Sequence, residues 1–356
     1  MAVIPTLLDR YYLRRGFFLL ISVIITLWGL YALIDYTSRS AHFSLPPLQL
    51  ATYYLLMAVK RLDLLLPFAI TIMTLRLALE SNMRLEIVAA MASGISKRRL
   101  FAPLLLIGLL ASAVITISYE WWLPSAYRTI ESLEGSITAK NSTSTDDPSV
   151  HRIQLADGSL LLFAGSDREA GALIDLYWIR SLDQILHFDR FYPTETPPMA
   201  EGITVLERIS SGALIPLSTR RNDSVDALVI PKSLLEREIV PVSEYSLSEL
   251  YTASSNHPQK THRDHEIAAA WVKRLSTPLL CLIAVLLPLP LCTHFSRRVH
   301  GVMIWLFALL GLVVLYLLIG AGYTLASHGV VSAEWAIALP LLLLTCLGML
   351  RYLRMV

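Results

Sequence analysis

Six stretches of this chain are apolar for roughly the twenty residues that a helix needs to cross a bilayer core. They run 16–34, 50–79, 100–119, 268–292, 301–325 and 335–353. Bare backbone N–H and C=O groups are too costly in lipid, so each such run is expected to be a helix. The second run, at 30 residues, predicts a long, tilted or partly protruding helix. A polar stretch separates the third run from the fourth, which predicts three spans, an insertion and three more spans. Only 16% of the residues are charged, whereas soluble proteins carry about 25%.

Basic residues mark one side of this array. Arg10, Arg14 and Arg15, then Arg84, Lys97, Arg98 and Arg99, then Arg297 and Arg298, and finally Arg351 and Arg354 share one set of ends if there are six spans. The opposite short loops, 36–49 and 326–334, hold Arg39 alone. The positive-inside rule therefore predicts cytoplasmic N- and C-termini. Trp121, Trp122, Trp271 and Trp335 fall at the other interface, where an aromatic belt belongs. No small-residue cleavage site follows the first run, which reads as a retained span and not a signal peptide. A net charge of +2 gives no footprint for nucleic acid. Cys281, Cys292 and Cys346 lie in or beside apolar runs and imply no disulfide framework.

Residues 121–265 are then expected outside the cytoplasmic membrane as an all-β domain without cysteine. In "HRIQLADGSLLLFAG" two apolar runs flank Asp157-Gly158, a strong hairpin signal. "ALIDLYWIRS", "QILHFDRFY", "GITVLERI", "ALIPLST" and "ALVIP" follow as strand candidates, and their regular spacing suggests a sandwich or jelly-roll-like sheet. The stretch "AKNSTSTDDPS" (139–149) reads as a polar linker.

Several ionisable residues sit in oily places. Lys60, Arg61 and Asp63 lie about three turns into the second run. A charge near the bilayer centre costs roughly 2.5–3.5 kcal/mol on insertion scales, so such groups face protein or water. Three readings stay open: a Lys60–Asp63 pair on one helix face, a helix that protrudes into water, or cations that bind an anionic head group. Lys273 and Arg274 beside Trp271 suit snorkelling to the interface. Arg76 and Glu80, four residues apart, read as a structural pair. Pro278, Pro288 and Pro290 are expected to kink or end the fourth span. "HPQKTHRDHE" offers His257, His262, His265 and Glu266 but lacks the H-E-x-x-H spacing of a zinc helix. No phosphate-loop motif occurs, and nothing resembles a nucleophile elbow, a Cys/His pair or a facing carboxylate couple.

Between the second and third runs lies "LESNMRLEIVAAMASGISKRRL" (79–100). Leu85, Ile87, Val88, Met91 and Ala92 make a wide apolar arc on a helical wheel, and Glu86, Ala89, Ala90 and Ser93 make a small-residue face. Gly94 is placed to end the helix. A helix lying on the lipid surface and a docking helix for a cytoplasmic partner both fit.

Taken together, these segments resemble the LptF/LptG permease family of the lipopolysaccharide exporter over nearly the full length, more closely the LptG-type member. "LDRYYLRRGFF" is similar to that member's opening, and "VKRLDLLLPFAI" to its second span, with Lys60 and Pro67 in matching places. "LEIVAAMASGIS" is similar to its coupling helix, matching at Glu86, Met91, Ala92, Ser93 and Gly94. "EWWLPSAYR" and "WVKRLSTPL" resemble the exit from span three and the entry to span four.

The resemblance implies a polytopic six-span protein of the bacterial inner membrane. Residues 1–120 would carry three spans and a coupling helix at about 81–95, residues 121–265 a periplasmic jelly-roll-like domain, and residues 266–356 three further spans. It implies a second, LptF-like permease subunit, a cytoplasmic LptB-like ATPase dimer that hydrolyses ATP with Mg, LptC/LptA-like periplasmic bridge proteins, and lipopolysaccharide as cargo. No cofactor would bind this chain directly. Lys60 and Arg61 become candidate lipid contacts, Lys60 by match and Arg61 by its position beside it. Glu86, Met91, Ser93 and Gly94 become candidates for ATPase coupling. A mechanotransmitting ABC subunit and an integral membrane lipid-modifying enzyme are the alternatives.

Overall fold

The computed structural model describes residues 7–39, 46–141, 151–155, 158–167, 172–181, 184–193, 197–208, 214–225, 228, 241–255, 262–293 and 301–355. Contacts divide the chain into a helical unit, Met1–Ala139 with Val242–Val356, and a smaller unit, Lys140–Pro241.

In the helical unit α1 is Leu7–Arg39, α2 Pro47–Lys60, α3 Leu62–Met83, α4 Glu86–Ala92 and α5 Lys97–Ile117. A π-helical turn, Ser118–Trp122, leads on into α6, Leu123–Asn141. The chain re-enters through a short 3-10 turn, Val242–Glu244, then α7 (Leu247–Ser255), α8 (His262–Ser276), α9 (Leu279–Leu286), α10 (Pro288–Thr293), α11 (Gly301–Ser327) and α12 (Leu339–Leu353). Among the described residues five helices are long and apolar enough to span a membrane, and Arg263–Ser276 with Leu279–Cys292, bent by 42°, brings the count to six where that pair is taken as one span. The bend falls at Thr277-Pro278, one of the kinks expected from the prolines. The second apolar run is not one helix: it breaks at Arg61 (φ −101°, ψ 8°), and α3 alone passes as a span.

Four side-chain bonds gather the basic ends of the spans. The Tyr12 hydroxyl reaches Ser81 and Glu86, Asn82 Nδ2 donates to the Cys292 carbonyl at 3.1 Å, and the Tyr352 hydroxyl donates to the Arg98 carbonyl at 2.5 Å. The core between the spans is built from Ile70, Met73 and Leu77 of α3, Phe101 and Leu104 of α5, and Cys281 and Val285 of α9. α1 contributes the narrow buried stripe Tyr12, Gly16 and Leu20, one residue per turn. Gly322 of α11 has no room for a side chain: a Cβ there would lie 2.7 Å from the Ala336 carbonyl oxygen. Small residues permit such close crossings, which supply packing where lipid gives no hydrophobic drive.

The smaller unit holds one antiparallel sheet in meander order: β1 His151–Gln154, β2 Leu160–Asp167, β3 Ala172–Ile179, β4 Gln184–Tyr192, β5 Met199–Arg208 and β6 Leu214–Ser224. Among the described residues the strands make one sheet, in which short sequential turns let each strand pair with its chain neighbour, as an inserted all-β domain requires. The first hairpin is the expected one: Gly158 has φ +83° and bonds back to Leu155 at 3.0 Å. Asp157, most of the 139–149 linker and all of "ALVIP" except Leu228 lie outside the described residues.

One face of the sheet buries Leu161, Phe163, Leu176, Trp178, Phe188 and Phe191. Strict alternation fails at one level. Leu173 and Leu176 are both buried, as are Phe188 and Phe191, and Ala200 and Ile203. Asp175 (φ +54°) and Gly202 (φ +69°) rotate the chain there, so three neighbouring strands change parity together. The sheet unit is narrower than residues 121–265, since 121–139 continue the helix of the third span and 242–255 form the 3-10 turn and α7.

Candidate functional site

At the end of the spans opposite the basic clusters, the break at Arg61 brings polar side chains together. Lys60 closes α2, and Asp63 sits in the first turn of α3. Four residues on, Pro67 lacks an N–H, so the Asp63 carbonyl has no helical donor. The Tyr316 hydroxyl of α11 donates to that carbonyl at 2.7 Å. Tyr119, in the π-helical turn, donates to Asp63 Oδ2 at 3.3 Å. That extra-wide turn points Tyr119 inward, while Trp121 and Trp122 stay 67% and 49% exposed.

Around this carboxylate the cations lie on tyrosine rings. Lys60 Nζ is 4.6 Å from the Tyr127 centroid, Lys273 Nζ 4.8 Å from Tyr323, and the Arg61 guanidinium 5.8 Å from Tyr31. Such separations lie within the range of cation–π attraction. Arg274 faces Tyr119 at 5.8 Å, but its main work is local. It is 8% exposed and donates to the carbonyls of Val242 (3.2 Å), Ser243 (2.8 Å) and Tyr245. It therefore caps the segment by which the chain returns to the spans, rather than snorkelling outward. α7 is secured beside it by a reciprocal Ser246/Glu249 capping box, and Glu120 accepts from the N–H and hydroxyl of Ser248 at 3.1 and 2.6 Å.

In place of the Lys60–Asp63 pair, Lys60 thus lies on Tyr127 and Asp63 bonds to Tyr119. Among the described residues, Lys60, Arg61, Lys273 and Arg274 gather around the Asp63 carboxylate. Val59, Lys60, Leu62, Asp63, Ile115, Ser118, Tyr119 and Leu123 line a narrow crevice beside Lys60 and Asp63. Excess positive charge beside low-dielectric walls attracts phosphate and carboxylate groups. Sequence reading singled out Lys60 and Arg61, left Lys273 to snorkelling, and missed Tyr119, Tyr127, Tyr316 and Tyr323. Their common signal is tyrosine near the outer ends of several spans, a pattern easily absorbed into an aromatic belt.

The second candidate region is α4. It starts abruptly, because Leu85 takes the left-handed conformation (φ +58°) at the corner with α3. It stops in a Schellman-type cap: Gly94 (φ +82°) donates to the Met91 carbonyl at 3.0 Å, and Ile95 to Ala90 at 2.9 Å. Ser96 then caps α5 by accepting from the Arg99 N–H at 3.4 Å.

The faces of α4 differ from the wheel reading. Ile87 is its one buried residue, and Glu86 turns inward to the Tyr12 hydroxyl at 2.9 Å. Val88, Ala89, Met91, Ala92, Ser93 and Gly94 form the exposed surface, with Val88 44% and Met91 41% exposed. Seven residues bury too little for more than one anchor side chain. Glu80 takes Arg15 at 2.5 Å and Arg84 at 2.8 Å instead of pairing with Arg76.

Of the histidine-rich lead, His265 packs against Gly329, and Glu266 accepts from Arg263 at 3.2 Å. His257 lies outside the described residues, as do Arg297 and Arg298.

The chain matches the model of a family described as "Lipopolysaccharide export system permease LptF/LptG" over residues 10–354. No curated protein matches it.

Proposed function

From the premise that the chain belongs to the LptF/LptG family of lipopolysaccharide export permeases, we propose that it is the permease subunit that lifts lipopolysaccharide out of the outer leaflet of the inner membrane. A separate ATPase drives it. Membership makes it an integral inner-membrane transporter of several apolar helices. The finer assignments are our reading.

The observation that carries them is the gathering of Lys60, Arg61, Lys273 and Arg274 with Asp63, among the described residues, at the tyrosine end of the spans. With the basic clusters on the cytoplasmic side, that end meets the outer leaflet. Phosphate and carboxylate groups of the lipid's anionic core pair with Lys60, Lys273 and Arg61, while apolar span surfaces take the acyl chains. The tyrosine rings help to orient the ammonium groups. The Lys140–Pro241 unit lies in the periplasm on this topology and receives cargo for LptC/LptA-like bridge proteins.

The exposed face of α4 is apolar and small, which suits insertion into a groove of an LptB-like ATPase dimer. Met91, Ser93 and Gly94 belong to that face. Glu86 supports it from behind. A second, LptF-like permease completes the assembly. ATP and Mg act in the ATPase, because this chain carries no phosphate loop.

The test is purification of the tagged chain from its native membrane in mild detergent, with mass spectrometry of what accompanies it. A second permease, a soluble ATPase and lipopolysaccharide together are expected. If the chain emerges with an ATPase but never with lipopolysaccharide, it is a mechanotransmitting subunit. If it emerges alone, α4 is a surface helix.

A further inference from the structure

Few residues of the first span are fully buried, 6% of its apolar stretch. At its basic end the polar contacts gather in one corner, while toward the other end Trp28 donates to the Tyr54 carbonyl and Asp35 accepts from the Tyr54 hydroxyl, both at 3.3 Å. Tyr12 is 1% exposed, Ser81 is fully buried, and their hydroxyl oxygens lie 3.0 Å apart. The Tyr12 oxygen is also 2.9 Å from Glu86 Oε2. A phenol has one proton, and a carboxylate can only accept. The order is therefore Ser81 Oγ–H to Tyr12, and Tyr12 O–H to Glu86, the second bond being charge-assisted. One turn along the same helix, Arg15 reaches Glu80, which also holds Arg84.

Three elements meet in this corner: α1 through Tyr12 and Arg15, the last turn of α3 through Glu80 and Ser81, and the first residue of α4 through Glu86. α4 itself is a single short unit, stopped at Gly94 and entered through the left-handed Leu85. Its other inward side chain, Ile87, joins the general apolar core. Apolar contacts slide with little directional cost, whereas a hydrogen bond weakens steeply once its angle or length is lost.

We propose that Tyr12 is a positioning residue of the transport cycle: its hydroxyl binds Glu86 and so turns a displacement of α4 into a movement of the first span. This rests on α4 being the ATPase-docking helix. A force on the exposed Met91 and Ser93 side reaches α1 at Tyr12, near one end of a 33-residue helix. A movement at Tyr12 is carried along that helix to its other end, where Trp28 and Asp35 bond to Tyr54 of α2. Glu86 then holds α1 from within the chain.

The test uses the complete exporter, both permeases with the ATPase, in vesicles containing lipopolysaccharide. ATP hydrolysis and lipopolysaccharide released to the bridge protein are measured together. Tyr12→Phe keeps the ring and removes the bond to Glu86. It is expected to keep the ATPase bound and turning over, while lipid released per ATP falls roughly tenfold, the weight of one hydrogen bond to a charged acceptor. Ser81→Ala leaves the Tyr12–Glu86 bond in place and is expected to keep lipid per ATP near the unmodified value.

Unchanged lipid per ATP in Tyr12→Phe overturns the proposal. So does an equal fall in Ser81→Ala, which would trace the effect to loosened packing of the buried corner. Loss of the ATPase from Tyr12→Phe also overturns it, because the bond would then only shape the docking surface. An unmodified chain that holds no ATPase fails the docking reading itself, before either variant is compared.

Discussion

At the α4 end of the helical unit, Arg15 and Arg84 converge on the Glu80 carboxylate at 2.5 and 2.8 Å. At the tyrosine end, Lys60, Arg61 and Lys273 lie on aromatic rings, 4.6 to 5.8 Å from the centroids. Both ends hold basic side chains near lipid, yet they treat charge in opposite ways. A carboxylate cancels a cation's field. A ring attracts the cation by its quadrupole and leaves the net charge in place. The first arrangement suits a joint that transmits force, and the second suits a surface that waits for an anion. Arg274 is the exception at the tyrosine end, since its guanidinium is consumed by three carbonyls.

That exception gives the largest expected effect. Arg274→Met preserves much of the apolar stem but leaves the Val242, Ser243 and Tyr245 carbonyls without their donor. Lost hydrogen bonds to a charged group and buried orphan acceptors together should cost about 3 kcal/mol. Thermal unfolding in detergent is expected to drop by several degrees. A variant as stable as the original would put Arg274 among the lipid-facing cations after all.

The contrast between the two ends was only partly open to sequence reading. Span number and the shared side of the basic clusters follow from apolar length and Lys/Arg placement, which are local properties. The breaks at Arg61 and in the β sheet did not follow. The break at Arg61 is held through the Asp63 carbonyl by Tyr316, 253 positions from Asp63 in sequence, and no window along the chain contains both. Alternation failed at Asp175 because a left-handed aspartate restores the face on the next inward residue.

Glu80 was assigned to Arg76 by helical spacing, but an i, i+4 pair is worth little beside a partner offered by another helix. The wheel of α4 put Glu86 on an outward face because Tyr12, its acceptor's donor, is on a different span. Lys60 and Arg61 were legible as charges at depth. The rings that hold them were not, because tyrosines at span ends are common for a bland reason.

Next in size is Glu80→Ala, which strips the joint of its shared carboxylate. Arg15 is 22% exposed and loses a partly desolvated partner, whereas Arg84 at 60% is already solvated. The expected destabilisation is about 1–2 kcal/mol, mostly through Arg15. High salt should narrow the gap from the parent protein, because screening weakens the bridge it has lost. A salt-independent loss would mean the carboxylate packs and does not neutralise, and the two ends would differ less than drawn here.

Tyr316→Phe tests the tyrosine end without touching charge. It removes the donor from the Asp63 carbonyl that Pro67 has already orphaned, at an expected cost of about 1 kcal/mol. Lipopolysaccharide crosslinking at Lys60 should also weaken, because the kink that presents Lys60 is less well held. If crosslinking stays intact while stability falls, the kink is set by Pro67 alone.

The smallest expected effect on stability is the most informative about function. Lys273→Gln removes an ammonium from the Tyr323 face. A cation–π contact at a wet site is worth about 0.5–1 kcal/mol, so unfolding should shift by a degree or two at most. Binding is a different matter. If the ammonium pairs with a phosphate of the lipid, its removal costs a charge-assisted bond, roughly 1.5–3 kcal/mol, or more than tenfold in affinity. The two readouts should separate, with near-normal melting and a large fall in lipopolysaccharide bound in detergent.

Lys273→Arg sharpens the point, because it keeps the charge and should recover most of the binding. Loss of binding with loss of melting in the Gln variant, or failure of the Arg variant to restore it, would make Lys273 a structural cation like Arg274. The tyrosine end would then resemble the α4 end, with its charges committed inside the fold.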